Sequence, residues 1–330
     1  MRNIHKAMIA ATTTVAALLA APAAHSYASD APAAAALTPT ASGVSGGILF
    51  GGDQGLMHEA GNIGRKLGIV RVYDHIGNTF PLPGYDNIMA AGSTLLISLD
   101  STTQSYTSIA NGKYDNQILT FLKSVNASAI KYNLNAIYIS FEHEPDNPKH
   151  TTFGTPAQFI QAWDHVHQLA ASAGLDWNNG GRLHWVWIMI RTSFDNSYAS
   201  QFWPGSNEVD VVGIDGYNSP GCSGNKPPAT PADIFGPALA FASANGDMPV
   251  FISEWASTND PSGGQAAFIA SMQSYVTADP DIDAAMYWDT QDVTKTGAPG
   301  GCSYVINANP ASVQAMYTLA TSPQMQGYLN

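Results

Sequence analysis

The chain has 330 residues, of which 45% are hydrophobic and only 12% charged, so it can bury a sizeable core without relying on a staple. A net charge of −12 repels phosphate, which argues against nucleic acid and anionic membrane surfaces as partners and leaves neutral or cationic substrates. The 7 Trp and 14 Tyr residues offer flat apolar faces to whatever those substrates are.

The N-terminus reads as an address. Arg2, His5 and Lys6 precede an apolar run from Met8 to Ala21, and small-residue cleavage sites follow at Ala21-Pro22-Ala23 and Tyr27-Ala28-Ser29. Residues 1–29 are expected to be a signal peptide, 30–45 an Ala/Pro/Thr linker and 46–330 a single folded domain. No later run reaches the ~18 apolar residues of a membrane helix, so a secreted protein is expected, with a monomer as the default.

From Gly47 onward, short apolar runs alternate with segments of helical period. In chain order the expected elements are strand Ile48–Phe50, helix Leu56–Leu67, strand Ile69–Tyr73, a short helix Tyr85–Ala91, strand Leu95–Leu99, helix Asp115–Asn133 and strand Ala136–Phe141. Then come helix Pro156–Ala173, strand His184–Ile190, a weak turn near Tyr198, strand Val209–Ile214, helix Ala232–Asn245, strand Val250–Ser253, helix Gly264–Ala278, strand Ala284–Trp288 and helix Ala311–Ser322. Thr155-Pro156, Thr230-Pro231 and Asn309-Pro310 each place a capping residue before a first-position proline. Eight strand-then-helix units predict a (β/α)8 barrel in a single domain. An open doubly wound sheet fits less well, because Gly51-Gly52-Asp53-Gln54-Gly55 is not the phosphate-binding GxGxxG.

The strand C-termini of such a barrel carry its chemistry. Here they end in Asp53, Tyr73-Asp74-His75, Asp100, Glu142-His143-Glu144, Arg191, Asp215-Gly216-Tyr217, Glu254-Trp255 and Trp288-Asp289. Retaining glycoside hydrolysis needs two carboxyl groups about 5–5.5 Å apart, and Glu144 on the fourth strand and Glu254 on the seventh are the natural pair. Tyr73, Tyr217, Trp255 and Trp288 could stack on sugar rings.

A series of motifs then runs in a telling order. His143-Glu144 is followed by Phe159 to His167 on the next helix, by Val186-Trp187 and Phe202-Trp203-Pro204-Gly205, by Val209 to Tyr217, and by Pro249 to Glu254. Over roughly residues 47–289 this resembles the family 26 glycoside hydrolases, retaining β-glycanases of clan A with mannanase and lichenase-type members. The resemblance implies Glu144 as general acid/base, Glu254 as nucleophile, His143 as an orienting neighbour and Tyr217 as a hydroxyl partner of the nucleophile. It further implies that Trp187 and Trp288 line sugar subsites; Asp215, at the end of the sixth strand, joins the substrate-binding or orienting set.

The flanks depart from the family. Its members commonly carry Arg-Pro-Phe before the His-Glu pair and Asn-Gly-Trp behind it, whereas this chain has Ser140-Phe141-Glu142 and Pro145-Asp146-Asn147. A strand continuing regularly through Glu144 would put Glu142 on the same face, where mutual repulsion favours protonation of one of them.

Plainer readings stand beside these. Glu144 could cap a turn or pair with Arg191, Glu254 could bond backbone, and His143 could be a core histidine. His165 and His167 do not face each other on a helix, Trp163 reads as core, and no metal or cofactor is expected. Cys222 and Cys302, in similar Gly-rich loops 80 residues apart, are expected to form a disulfide. The expected function is a secreted retaining endo-β-glycanase acting on β-mannan or mixed-linkage β-glucan. A non-catalytic carbohydrate-binding barrel, exo action and xylan specificity are the alternatives.

Overall fold

The computed structural model describes residues 47–222, 227–259, 264–292 and 302–325. The expected signal peptide and linker lie outside the described residues. Eight strands, β1 (Leu49–Gly52), β2 (Ile69–His75), β3 (Thr94–Asp100), β4 (Ile137–Phe141), β5 (Leu183–Ile190), β6 (Val211–Asn218), β7 (Val250–Ser257) and β8 (Ile282–Tyr287), pair in sequence order. The last returns to the first, with Leu49 opposite Ala284, and closes an all-parallel barrel. Helices separate the strands, so the (β/α)8 expectation holds.

Because the sheet is covered on both sides, its strands are apolar on both faces, and alternation decides which residue meets which layer. Leu49, Ile69, Leu96, Tyr138, Val186, Ile188, Val211, Phe251, Ala284 and Met286 pack together inside the barrel. Their sequence neighbours, among them Val70, Ile97, Ile139, Trp185, Trp187, Ile252 and Ala285, join the larger core shared with the helices.

The caps fold as the sequence predicts. Thr155 and Thr230 each complete a capping box, with Gln158 and Asp233, at the head of Pro156–Ser172 and Pro231–Ala244, and Asn309 accepts from the Ala311 N–H. Each such cap is worth about 1 kcal/mol. The first helix is shorter than expected, Gln54–His58, since Gly61 and a left-handed Gly64 (φ +77°) interrupt the pattern. Two five-residue helices, Tyr106–Ala110 and Arg191–Asp195, are too short to show a period in sequence.

Candidate functional site

Period-two alternation builds the floor of the barrel mouth. On β2, Arg71 and Tyr73 follow Ile69 on the inward face; on β6, Gly213, Asp215 and Tyr217 follow Val211. Arg71 is buried to 1% exposure inside the barrel. Its Nη1 donates to Asp215 Oδ1 at 2.8 Å and lies 3.0 Å from Glu254 Oε1, while Nε and Nη2 reach Ser98 Oγ at 3.3 and 3.2 Å. Arg71 lies inside its strand and not at the strand end, yet a charge within Ile69-Val70-Arg71-Val72-Tyr73, two residues before a rim tyrosine, is a visible signal in the sequence.

Glu254 reaches this floor through an irregularity of β7. Ile214 pairs with Ile252, but Asp215 pairs with Glu254, so Ser253 is an extra residue in the ladder. A regular strand would have carried Phe251, Ser253 and Trp255 inward; the bulge turns Glu254 inward and Trp255 outward. Tyr73 and Tyr217 donate their hydroxyls to Glu254 Oε1 and Oε2, so with Arg71 three donors grip one carboxylate. Burial holds both tyrosines well above their ordinary pKa, which keeps them donors. Asp215 is also pushed up by burial, against the pull of Arg71, and by the neighbouring Glu254. Gly213 makes room for the arrangement: a Cβ there would stand 2.6 Å from the Ile188 side chain and 2.7 Å from Ser253 Oγ.

The loop after β4 supplies a second carboxyl group to the mouth. Its strand stops at Phe141, and both Glu142 (φ +53°) and Glu144 (φ +50°) are left-handed, so the regular continuation fails. The expectation that Glu142 and Glu144 share a face is corrected accordingly. Glu142 turns to Ser101 after β3, whose N–H donates to Oε1 at 3.3 Å and whose hydroxyl bonds Oε2. Burial, aided by Asp100, pushes its carboxyl group up to about 8. Glu144 receives the Asn147 amide on Oε2 at 2.9 Å. Asp146 accepts from the Ile190 N–H at 3.1 Å, and burial pushes it up to about 7.

Glu144, Asn147, Ile190, Arg191, Thr192, Asp215, Tyr217, Ser219, Cys222 and Tyr304 line one cleft of about 300 Å3. The aromatic residues divide. Trp288 is half-buried and stands edge-on to Tyr73 at 5.8 Å, and His143 also meets that tyrosine, at 5.4 Å. The His143 Nδ1 has no partner among the described residues, and burial together with the Arg71 charge holds the imidazole neutral. Trp187 and Trp255 are corrected from subsite to core. Both are wholly buried on the helix side, Trp187 against Trp203 and Phe241 with its Nε1 donating to the Phe202 carbonyl, Trp255 against Phe268 and Tyr287.

Other strand-end carboxylates serve loops. Asp53 accepts from Leu56 N–H and the Thr290 hydroxyl, Asp74 from His75 N–H and Asn78, and Asp289 from Ile306 N–H. Arg191 pairs with Asp195 at 3.4 Å, and Trp163 is core, as expected. His165 pairs with Asp115, and His167 with Glu208 and Asp176, on separate neighbours. Cys222 and Cys302 are bridged, with Cα atoms 5.6 Å apart. Among the described residues no group of three or more His, Cys, Asp or Glu side chains could hold a metal ion, and no helix is long and apolar enough to cross a membrane.

No protein-family model matches this sequence, and no curated protein matches it. Solved structures do resemble the fold. An endo-β-1,4-mannanase of glycoside hydrolase family 26 from Cellulomonas fimi superposes with a TM-score of 0.57 at 16% identity, over 84% of this chain and 71% of that one. The catalytic domain of a family 26 endo-β-1,4-mannanase from Bacillus sp. JAMB-750 gives 0.59 at 13% identity, over 85% and 88%. A family 26 β-mannanase from Bacteroides ovatus gives 0.60 at 13% identity, over 85% and 90%. At such identities the likeness is one of fold.

Proposed function

We propose that this chain is a retaining endo-β-glycanase working by double displacement, with Glu254 as nucleophile and Glu144 as general acid/base. The observation that carries the reading is the grip of Arg71, Tyr73 and Tyr217 on Glu254, which is turned into the mouth by a bulge, beside a cleft that Glu144 and Tyr217 both line. Three donors on one carboxylate fix the attacking oxygen and need no rearrangement as reaction begins. Glu254 would attack the anomeric carbon while Glu144 gives its proton to the departing glycosidic oxygen, leaving a glycosyl ester on Glu254. Glu144 would then take a proton from the water that attacks this ester, releasing sugar with its original anomeric configuration.

The half-buried Trp288 ring beside Tyr73 suits a sugar ring in the adjoining subsite. The net charge of −12 suits a neutral polymer. We take β-1,4-mannan as the first candidate because the three structural neighbours bear mannanase names, and mixed-linkage β-glucan as the second. Export, implied by residues 1–29, belongs to the same proposal.

The test is reducing-sugar release on β-mannan, mixed-linkage β-glucan, cellulose and xylan by wild type, Glu144→Ala and Glu254→Ala, with NMR of the first-formed anomer. Release on one polymer with the β anomer first, reduced about 1,000-fold or more in both variants, supports the proposal. Equal traces from all three proteins would sink it and leave a carbohydrate-binding barrel, which glycan titration would then show.

A further inference from the structure

Glu142 takes no part in the proposed chemistry, yet it is buried to 1% exposure immediately before His143-Glu144. The chain path around it is unusual. Two non-glycine residues, Glu142 and Glu144, are left-handed, each at a cost on the order of 1 kcal/mol, so something must hold them there. The Glu142 N–H donates to the Leu99 carbonyl of β3 at 2.9 Å, whereas the Glu144 N–H donates to the Ile188 carbonyl of β5 at 3.0 Å. Within two residues the backbone crosses from one neighbouring strand to the other, and this crossing turns Glu144 into the cleft.

The Glu142 side chain is locked at the start of the crossing. Ser101 N–H donates to Oε1, and Ser101 Oγ meets Oε2. The Ser101 hydroxyl also lies 3.4 Å from the Gln104 carbonyl, which can only accept. If its single proton serves Gln104, the bond to Oε2 is completed by a proton on Glu142. The titratable groups facing Glu142 are Asp100 at the end of β3 and Tyr106 on the helix Tyr106–Ala110, and neither supplies a positive charge.

We infer that Glu142 is a positioning residue: locked on Ser101, it fixes the left-handed turn that delivers Glu144 to the cleft. The inference rests on the reading of Glu144 as acid/base. The lock needs shape and two hydrogen bonds and no charge, so glutamine, which donates one and accepts the other, reproduces it.

The test compares full-length Glu142→Gln, Glu142→Ala and Ser101→Ala in kcat and KM on the polymer that wild type cleaves, alongside their crystal structures. Glu142→Gln should stay within about threefold of wild type in both constants. Glu142→Ala and Ser101→Ala should lose roughly 10- to 100-fold in kcat with KM within about threefold, and their Glu144 carboxyl groups should be displaced by about 1 Å. A folded Glu142→Ala with wild-type kcat and Glu144 in place would overturn the inference, as would a Glu142→Gln as impaired as the alanine variant. If Glu142→Ala does not fold, Ser101→Ala decides by the same two readings. If wild type cuts no polymer, the proposed function fails by itself, and the position of Glu144 in the crystal structures still decides the role of Glu142.

Discussion

The carboxyl groups around the barrel mouth differ in what surrounds them, and the difference predicts how stability follows pH. Glu254 meets three donors, whereas Glu142 and Asp146 lie in closed surroundings without a cation, and burial pushes them up to about 8 and about 7. An acid whose folded pKa is raised binds more protons folded than unfolded, so stability falls as pH rises from the unfolded value toward the folded one. Wild type should therefore be less stable at pH 8.5 than at pH 5.5, with Glu142 alone accounting for on the order of 3 kcal/mol. Urea unfolding at the two pH values checks this, and Glu142→Gln should flatten the difference by that amount. An unchanged difference in the glutamine variant would mean that Glu142 is ionised in the fold at neutral pH.

At the scale of elements, a one-residue bulge decides which chemistry β7 presents. Gly213 on β6 touches that bulge, since a Cβ there would come within 2.7 Å of Ser253 Oγ. Gly213→Ala should cost about 1–3 kcal/mol by overpacking and, because Ser253 precedes Glu254, lower kcat by roughly tenfold. Guanidinium unfolding and turnover on the cleaved polymer measure both; lost stability with intact turnover would separate the bulge from the site. The eight strands were legible because strands covered on both faces are written as continuous apolar runs, and three helix starts because Thr-Pro and Asn-Pro have few other uses. The side chains of those strands were less so. With both faces apolar, nothing in Trp185-Val186-Trp187-Ile188 says which residue faces inward, and Trp187 proved to face the helices. The same ambiguity hid the outward turn of Trp255, which follows from a backbone bulge with no residue signature. Trp288 continues the inward series of Ala284 and Met286, and it stands at the mouth.

Across the whole molecule, the rim of the cleft is tied together by covalent chemistry far apart in sequence. Cys222 follows β6, Cys302 pairs with Asp292 in a short antiparallel ladder after β8, and the bridge between them closes a separation of 80 residues. Beside it, Tyr304 packs on Tyr217 at 5.3 Å, and its hydroxyl lies 3.0 Å from that of Ser219. Tyr217 in turn holds Glu254, so the bridge supports one wall of the cleft and one donor to the proposed nucleophile. Chain entropy sets the stabilisation from a loop of this length at no more than about 4.5 kcal/mol. Replacing both cysteines by serine should lower unfolding stability by about 2–4 kcal/mol and raise KM several-fold, since the cleft wall loosens before the barrel itself opens. Calorimetry and initial rates on the double variant measure the two effects, and wild type in reductant should reproduce them. A melting temperature indifferent to reductant would mean that the contacts of Tyr217, Ser219 and Tyr304 hold the rim without the bridge.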